Sequence, residues 1–321
     1  QGLRPPRSRH ALWQRWLGDS FHQWGQWTEA RGALQAAAAQ WRRPVPRSRP
    51  GVALGIAYQA LRQLGHRLLG RRYGARRSGA AGGRSAELAA TYLALSEVFY
   101  LTNEEVRSLH AVLVALNESE RAGPSRELAL SYRNMTVISD LFGAHGVAAG
   151  YAERALDVAE RVADPATSAA TELGIGMYHL EAGRLAQARA LIDGALEQAD
   201  RYGDARLWGD CIGFAGRVAS FQGELARAET LFREMAGPRS QALLHKTWSL
   251  SSLGGVLLLQ GRYEEAIARL EEALELQAGA SEAQQEIVGW AFLALARIRR
   301  DEPRLAREAA DRALGVAESS S

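Results

Sequence analysis

The chain has 321 residues, 47% of them apolar and 23% charged, with a formal net charge of +3, which is a folded globular composition and excludes a disordered or collagen-like chain. No run approaches the roughly 18 uninterrupted apolar residues that a membrane-spanning helix needs. The single cysteine, Cys211, excludes an internal disulfide and fits a reducing cytoplasm, the expected compartment.

The chain begins at Gln1 with no initiator methionine and no apolar leader, so it is expected to be a piece of a longer polypeptide. Residues 1–43 read as a first helical repeat rich in tryptophan, with Trp13, Trp16, Trp24, Trp27 and Trp41 expected to fill its core. The run Arg-Arg-Pro-Val-Pro-Arg-Ser-Arg-Pro over 42–50 cannot be helical throughout and predicts a connector. From 52 to about 69, Leu54, Tyr58, Leu61, Leu64 and Leu68 recur at helical spacing and predict one helix. A basic loop is expected over 71–85, its glycines between 79 and 83 serving as flexible linker.

From residue 86 onward one register recurs. Asn103, Gly143, Gly183, Gly223, Gly261 and Asp301 stand 40, 40, 40, 38 and 40 residues apart, at points where a first helix must end in a left-handed or turn conformation. Five residues after these anchors come Ser108, Ala148, Ala188, Ala228, Ala266 and Ala306, and seven before come Ser96, Thr136, Gly176, Gly216, Gly254 and Ala294. All are small, as close helix crossing demands, and Phe99, Ile192, Phe232, Leu257 and Leu270 are placed to fill the space around them. A fixed period in this range predicts an all-α solenoid of antiparallel helix pairs, with six repeats over 86–316 and a disordered tail over 317–321. The last pair ends in a polar helix (Arg304, Arg307, Glu308, Asp311, Arg312) suited to capping the stack. Gly25 and Asn103 lie 78 residues apart, close to two periods, so 44–85 is expected to be a degenerate repeat whose second helix is lost or displaced.

Leu253-Gly254, Leu257, Gly261, Tyr263, Ala266, Leu270 and Ala273 resemble the tetratricopeptide pattern, and Leu17-Gly18, Phe21, Gly25, Trp27, Ala30, Leu34 and Ala37 look like a first copy. The resemblance implies a right-handed solenoid, although the family's usual period is 34, so these repeats are long by about one and a half turns. HEAT and armadillo repeats have the longer period, but the small-residue register favours the tetratricopeptide pattern. Together with Arg121-Ala122-Gly123-Pro124-Ser125 and Tyr151-Ala152-Glu153-Arg154-Ala155-Leu156, the order of connector, long helix, basic loop and repeats resembles the C-terminal tetratricopeptide region of bacterial multidomain signalling ATPases of the STAND type, often with a nucleotide cyclase or kinase domain. That likeness implies a regulatory arm, with any catalysis in domains ahead of Gln1.

Catalytic motifs are not met. The one Lys-Thr pair, Lys246-Thr247, has Ser240 and His245 where a P-loop needs glycine. The seven histidines form no zincin pair, and His179 on a first helix is expected to be packed or half-exposed. Gly209-Asp210-Cys211-Ile212-Gly213 matches a nucleophile-elbow variant but falls inside a first helix, where it predicts core packing. No enzyme activity, cofactor or metal is therefore expected.

A binding function remains. In the tetratricopeptide register the first helices line a concave groove, which places Glu97, Tyr100, Arg133, Val137, Asp140, Met177, Asp210, Arg217, Phe221, Trp248 and Ser251 toward a ligand. Their mixture of acid, arginine and aromatic groups suits a peptide or protein partner, including the upstream domains of the same polypeptide, with Arg217 and Trp248 as the leading residues. Residues 1–85 hold sixteen arginines against Asp19 and Glu29, a balance of +14, which leaves −11 for residues 86–321. Nucleic acid is not the expected partner, since the basic stretch has only Tyr73 for stacking and no recognition motif. Self-assembly through an exposed apolar end is the alternative, and an enzyme with a site inside the superhelix the lesser one.

Overall fold

The computed structural model describes residues 7–68, 80–239, 242–277 and 283–319, and every regular element among them is a helix. In chain order these are α1 (Arg7–Gln23), α2 (Trp27–Gln40), α3 (Arg49–Leu68), α4 (Ala80–Leu101), α5 (Glu105–Ala122), α6 (Arg126–Leu141), α7 (His145–Val162), α8 (Pro165–Glu181), α9 (Leu185–Tyr202), α10 (Ala205–Phe221), α11 (Leu225–Met235), α12 (Leu243–Leu259), α13 (Tyr263–Gln277), α14 (Ala283–Arg299) and α15 (Pro303–Ser319). Two compact units divide the chain within α8, Gln1–Thr171 and Glu172–Ser321. Both are stacks of helix pairs, the all-α solenoid architecture expected from the register.

The same turn closes every pair. Gly25, Asn103, Gly143, Gly183, Gly223, Gly261 and Asp301 all have φ between 57° and 78°. At each, the anchor N–H donates to the carbonyl three residues back and the next N–H to the carbonyl five residues back, as in Gly183 to Leu180 and Arg184 to His179. These paired bonds satisfy carbonyls that a helix end would otherwise leave without partners. Ser125 and Asp204 cap the start of α6 and α10, accepting from the N–H groups of Leu128 and Leu207.

Small and large side chains are matched across each pair. A Cβ added to Gly18 would lie 2.6 Å from Leu34 Cγ, one on Gly176 2.5 Å from Ile192 Cγ1, one on Gly216 2.6 Å from Phe232, and one on Gly254 2.5 Å from Leu270 Cγ. In register terms, glycine seven residues before the anchor faces a large residue nine after it. At Thr136 and Ala294, where the earlier position carries a side chain, the later one is alanine (Ala152, Ala310), while Ser96 stands with Val112. Ala148, Ala188, Ala228 and Ala266 are fully buried at the crossings, and Phe99, Ile192, Phe232, Leu257 and Leu270 are buried around them.

In the first unit, α1 pairs with α2, α4 with α5 and α6 with α7, and α2 packs directly on α4. The core of the first two pairs gathers Leu34, Trp41, Leu88, Tyr92, Leu95 and Phe99. Charge marks the same stacking: Arg31, six residues past its anchor, meets Glu104, one past the next, at 2.5 Å. Arg189 and Glu224 repeat this register in the second unit at 2.6 Å, and Glu229 and Arg262 repeat it with the signs exchanged at 2.9 Å. The helix α3 therefore lies outside the stack; among the described residues no partner helix for it stands between α2 and α4, and it rests on α5.

The α3–α5 contact is polar. Asn117 Nδ2 donates to the Gln59 carbonyl (3.1 Å) and Oε1 (2.8 Å), and Gln63 Nε2 donates to Asn117 Oδ1 (2.9 Å) and Glu120 Oε2 (2.9 Å). Arg62 and Arg121 flank the buried Glu118. Gly55 lies flat on the His110 ring, where a Cβ would come within 2.7 Å. Leu54, Tyr58, Leu61 and Leu64, whose spacing predicted the helix, point away from α5 and are exposed.

Several local expectations are corrected. Trp13, Trp16 and Trp24 are exposed and only Trp41 of the five is buried, because α1 packs on α2 and α4 along one face and, among the described residues of the first unit, no helix lies on the other. Residues 80–85 of the expected loop are the first turns of α4, held where Arg84 donates to the Trp41 carbonyl (2.6 Å) and Ser85 to Glu118 (3.2 Å); residues 71–79 lie outside the described residues. Residues 317–319 complete α15 rather than a tail, and 320–321 lie outside the described residues. The basic N-terminal stretch is partly neutralised within its own unit: Arg15 pairs with Asp19 and Glu87, Arg31 with Glu104, and Arg62 with Glu118.

Burial holds the His110 imidazole below its ordinary value of 6.5. The unfolded chain then takes up protons first as pH falls, so stability is present at neutral pH and is lost from about pH 6.5 downward. His179 has the same sign, from burial and then the neighbouring Arg184 charge. Carboxylates held low act in a separate window below about pH 4.5: Glu229 at about 2 through Arg233, and Glu224 and Glu265 through Arg189 and Arg262. A His110→Gln variant is expected to lose part of the fall in thermal midpoint between about pH 7.5 and about pH 5.5. An unchanged slope would remove His110 as a cause.

Candidate functional site

The expected ligand-facing residues all lie on first helices, and the structure sorts them into engaged, packed and free faces. In the first unit, Glu97 on α4 is exposed with its carboxylate 3.4 Å from His22 Nε2, and Tyr100 is exposed one turn later. On α6, Arg133 donates to the Asn134 side chain (2.9 Å) and to the Ala170 carbonyl (3.2 Å), and Asp140 pairs with His145 at 2.7 Å. Val137 beside them is exposed, as are Leu141 and Phe142 at the end of the helix. A cavity of about 320 Å³ in this unit is lined by Arg31, Arg47 and Arg107, but Glu104 already takes both Arg31 and Arg107.

In the second unit a connected cluster forms. The Arg217 guanidinium on α10 lies 5.2 Å from the Phe214 ring and 6.0 Å from the Phe221 ring, and its Nη2 is 3.1 Å from Glu181 at the end of α8. Phe214 in turn meets Trp248 of α12 edge-on at 5.1 Å. Asp210 Oδ1, one turn earlier on α10, is 2.8 Å from the buried His245 Nε2. Three first-helix side chains, Phe214, Phe221 and Glu181, thus hold one arginine in a stacked, ion-paired pose, with Phe221 largely exposed.

Two expectations change on this face. Ser251 is 1% exposed, because α14 covers that side of α12 and Gly289 brings its backbone close; the hydroxyl does not face a ligand. Trp248 is half-buried over Gly213, where a Cβ would meet the indole at 2.5 Å, so it shapes the cluster as much as it offers surface. Met177 is half-buried on α8. Phe214, which sequence reasoning missed, joins the cluster through Arg217 and Trp248, and Leu259, Leu295 and Ile298, also missed, are exposed on α12 and α14. The register carried a signal for Leu259 alone: two residues before each anchor stand Leu101, Leu141, Glu181, Phe221, Leu259 and Arg299, all exposed.

Cys211 is fully buried inside α10 and its thiol is pushed well above the ordinary range by burial, with Asp210 adding to it. Gly209 and Gly213 around it make room for His245 and Trp248, so this motif is a packing device. His179 is half-buried and accepts from Arg184 Nε at 2.8 Å, as expected of a packed histidine. Among the described residues no group of three His, Cys, Asp or Glu side chains is placed to hold a metal ion, and no helix is long and apolar enough to cross a membrane.

Residues 246–319 match the tetratricopeptide repeat family model. Among solved structures, BtubC (BKLC) from P. vanneervenii is similar over 75% of this chain and 92% of its own at 14% identity, with a TM-score of 0.53. The Rap conjugation gene regulator of the plasmid pLS20, solved in complex with the Phr* peptide, is similar over 98% of this chain and 96% of its own at 15% identity, with a TM-score of 0.52. A Podosopora anserina putative kinesin light chain with nearly identical TPR-like repeats covers 61% of this chain and 98% of its own at 14% identity, with a TM-score of 0.50. No curated protein sequence matches. At these identities the likeness shows a tetratricopeptide-like fold.

Proposed function

We propose that this chain is a regulatory tetratricopeptide module that binds a peptide or protein segment on its first helices, with the main contact in the second unit around Arg217, Phe214 and Phe221. What supports the reading is the pre-ordered guanidinium stacked near two phenylalanines, a grouping typical of binding hot spots. The likeness to a regulator solved with a peptide points the same way. The favoured partner is an upstream ATPase or cyclase domain of the same bacterial signalling polypeptide, in the cytoplasm, with catalysis supplied there. In the first unit, Glu97, Tyr100, Arg133 and Asp140 contribute less, since three of them are already engaged within the chain.

A peptide selected from a displayed random library on the full chain, then titrated calorimetrically, tests this. Arg217→Ala with Phe221→Ala is expected to weaken binding by about 30-fold or more, equivalent to about 2 kcal/mol, with helix content unchanged. Arg217→Lys should recover little, because an ammonium lacks the planar face that stacks on the rings. Unchanged affinity in the double variant would overturn the assignment. Trp248 is left intact in this test because its loss would disturb the packing on Gly213.

A further inference from the structure

We propose that the outward face of α3 is a helix-pairing seam that joins two copies of this chain about a two-fold axis near Leu61. This helix is amphipathic in the wrong sense for an element of a monomer. Its polar side, Gln59, Arg62, Gln63 and His66, is turned to α5 and bonded to Asn117, Glu118 and Glu120. Its apolar side is turned to solvent: Leu54 is 73% exposed, Tyr58 53%, Leu61 68% and Leu64 51%.

The spacing specifies what fits there. Leu54, Ala57, Leu61 and Leu64 follow each other by three, four and three residues, the alternation with which one helix presents a straight seam to another along its length. The exposed Ala53, Ala57 and Ala60 beside the leucines let a second backbone approach closely. Charge favours a like copy over an acidic or basic partner. Between Val52 and Leu61 no residue is charged, α3 contains no acid, and Arg62 is directed to Glu118 on the other side, so two identical seams meet without repulsion.

The area is that of a weak, reversible pair. The four exposed side chains offer roughly 450 Å² per copy and about 900 Å² in a symmetric pair, near the ~1,000 Å² at which specific interfaces begin. Because α5 already holds each helix in place, pairing carries little ordering cost, and a micromolar dissociation constant is expected.

Sedimentation equilibrium of the full chain tests the proposal. At concentrations on the order of 100 μM the chain is expected at twice its 34.9 kDa mass, and Leu54→Glu with Leu61→Glu at 34.9 kDa, with far-UV dichroism and thermal midpoint unchanged because both leucines are exposed. Leu61→Cys should give a disulfide-linked dimer under mild oxidation, without competition from the buried Cys211. A chain that stays monomeric at that concentration overturns the proposal, whether the seam is then idle or serves another protein. So does a dimer that survives the double glutamate change, or one dissociated by Trp16→Glu on α1 instead. Peptide titration reads the second unit and this experiment the first, so the failure of either reading leaves the other standing.

Discussion

Gly254→Ala is expected to destabilise the chain by about 2–3 kcal/mol, although alanine is the better helix former by about 1 kcal/mol. The added Cβ would come within 2.5, 2.8 and 3.2 Å of Leu270 Cγ, Cδ2 and Cδ1, so turning the terminal methyls leaves the clash at Cγ and the whole side chain would have to shift. Leu270 is itself fully buried, and Leu270→Ala alone should cost about 3 kcal/mol through lost transfer energy and the cavity left behind. The pair in one chain should lose at least about 1 kcal/mol less than the sum, because each change fills or relieves what the other creates. The repeats that already carry Thr136 with Ala152 and Ala294 with Ala310 are natural examples of the exchanged arrangement. Denaturant titration of the three variants measures this coupling. A neutral or stabilising Gly254→Ala would show that helix spacing is not set at this crossing.

The second large effect is confined to α3. Asn117 is fully buried and makes four hydrogen bonds, two to Gln59, one to Gln63 and one to the Leu113 carbonyl. Asn117→Ala removes the link between Gln59 and Gln63, leaving Gln59 Oε1 only Arg62 and Gln63 Nε2 only Glu120, at about 1–3 kcal/mol in all for the buried bonds lost. Among the described residues α3 packs on α5 alone, whereas α4 and α5 also hold each other and their neighbours. The helix is therefore expected to release while the stack persists. Amide exchange over 49–68 should rise by about two orders of magnitude or more, with little change over α6 and α7. Uniform loss of protection across the first unit would mean that α3 is part of its core.

The exposed inter-repeat ion pairs are expected to contribute little individually, since both partners remain in water. Glu229 differs in accepting from Arg233, Gln260 and Arg262 together, and it is the junction where acid and base have exchanged places relative to Arg189–Glu224 and Arg31–Glu104. Such an exchange preserves attraction within a junction while disfavouring a slip between junctions of opposite polarity.

What could be read from the sequence was whatever repeats. The seven turn anchors, the small crossings and the helix pairs each recur at a fixed interval, and the steric reasons for them are local: a left-handed residue must end the first helix, and a side chain must be absent where two axes cross. The polar last helix likewise announced itself by composition, and its charged side chains are exposed.

Where periodicity was the only guide, it misassigned faces. The spacing of Leu54, Tyr58, Leu61 and Leu64 correctly predicts a helix, but spacing is blind to which side meets the rest of the protein. Only the tertiary structure shows the hydrogen-bonding side turned inward, because Asn117 and Glu118 on α5 stand ready to satisfy it. The tryptophans of α1 suggested core for the same reason and are exposed because, among the described residues of their unit, no helix lies against them. Ser251 shares the composition of a ligand-facing residue, yet the approach of Gly289 buries it; Phe214 gave no sequence sign of binding, yet Arg217 and Trp248 converge on its ring. The chain's own order determines its repeats through local sterics, whereas which faces remain open depends on contacts between residues far apart in sequence, and those exist only once the helices have packed.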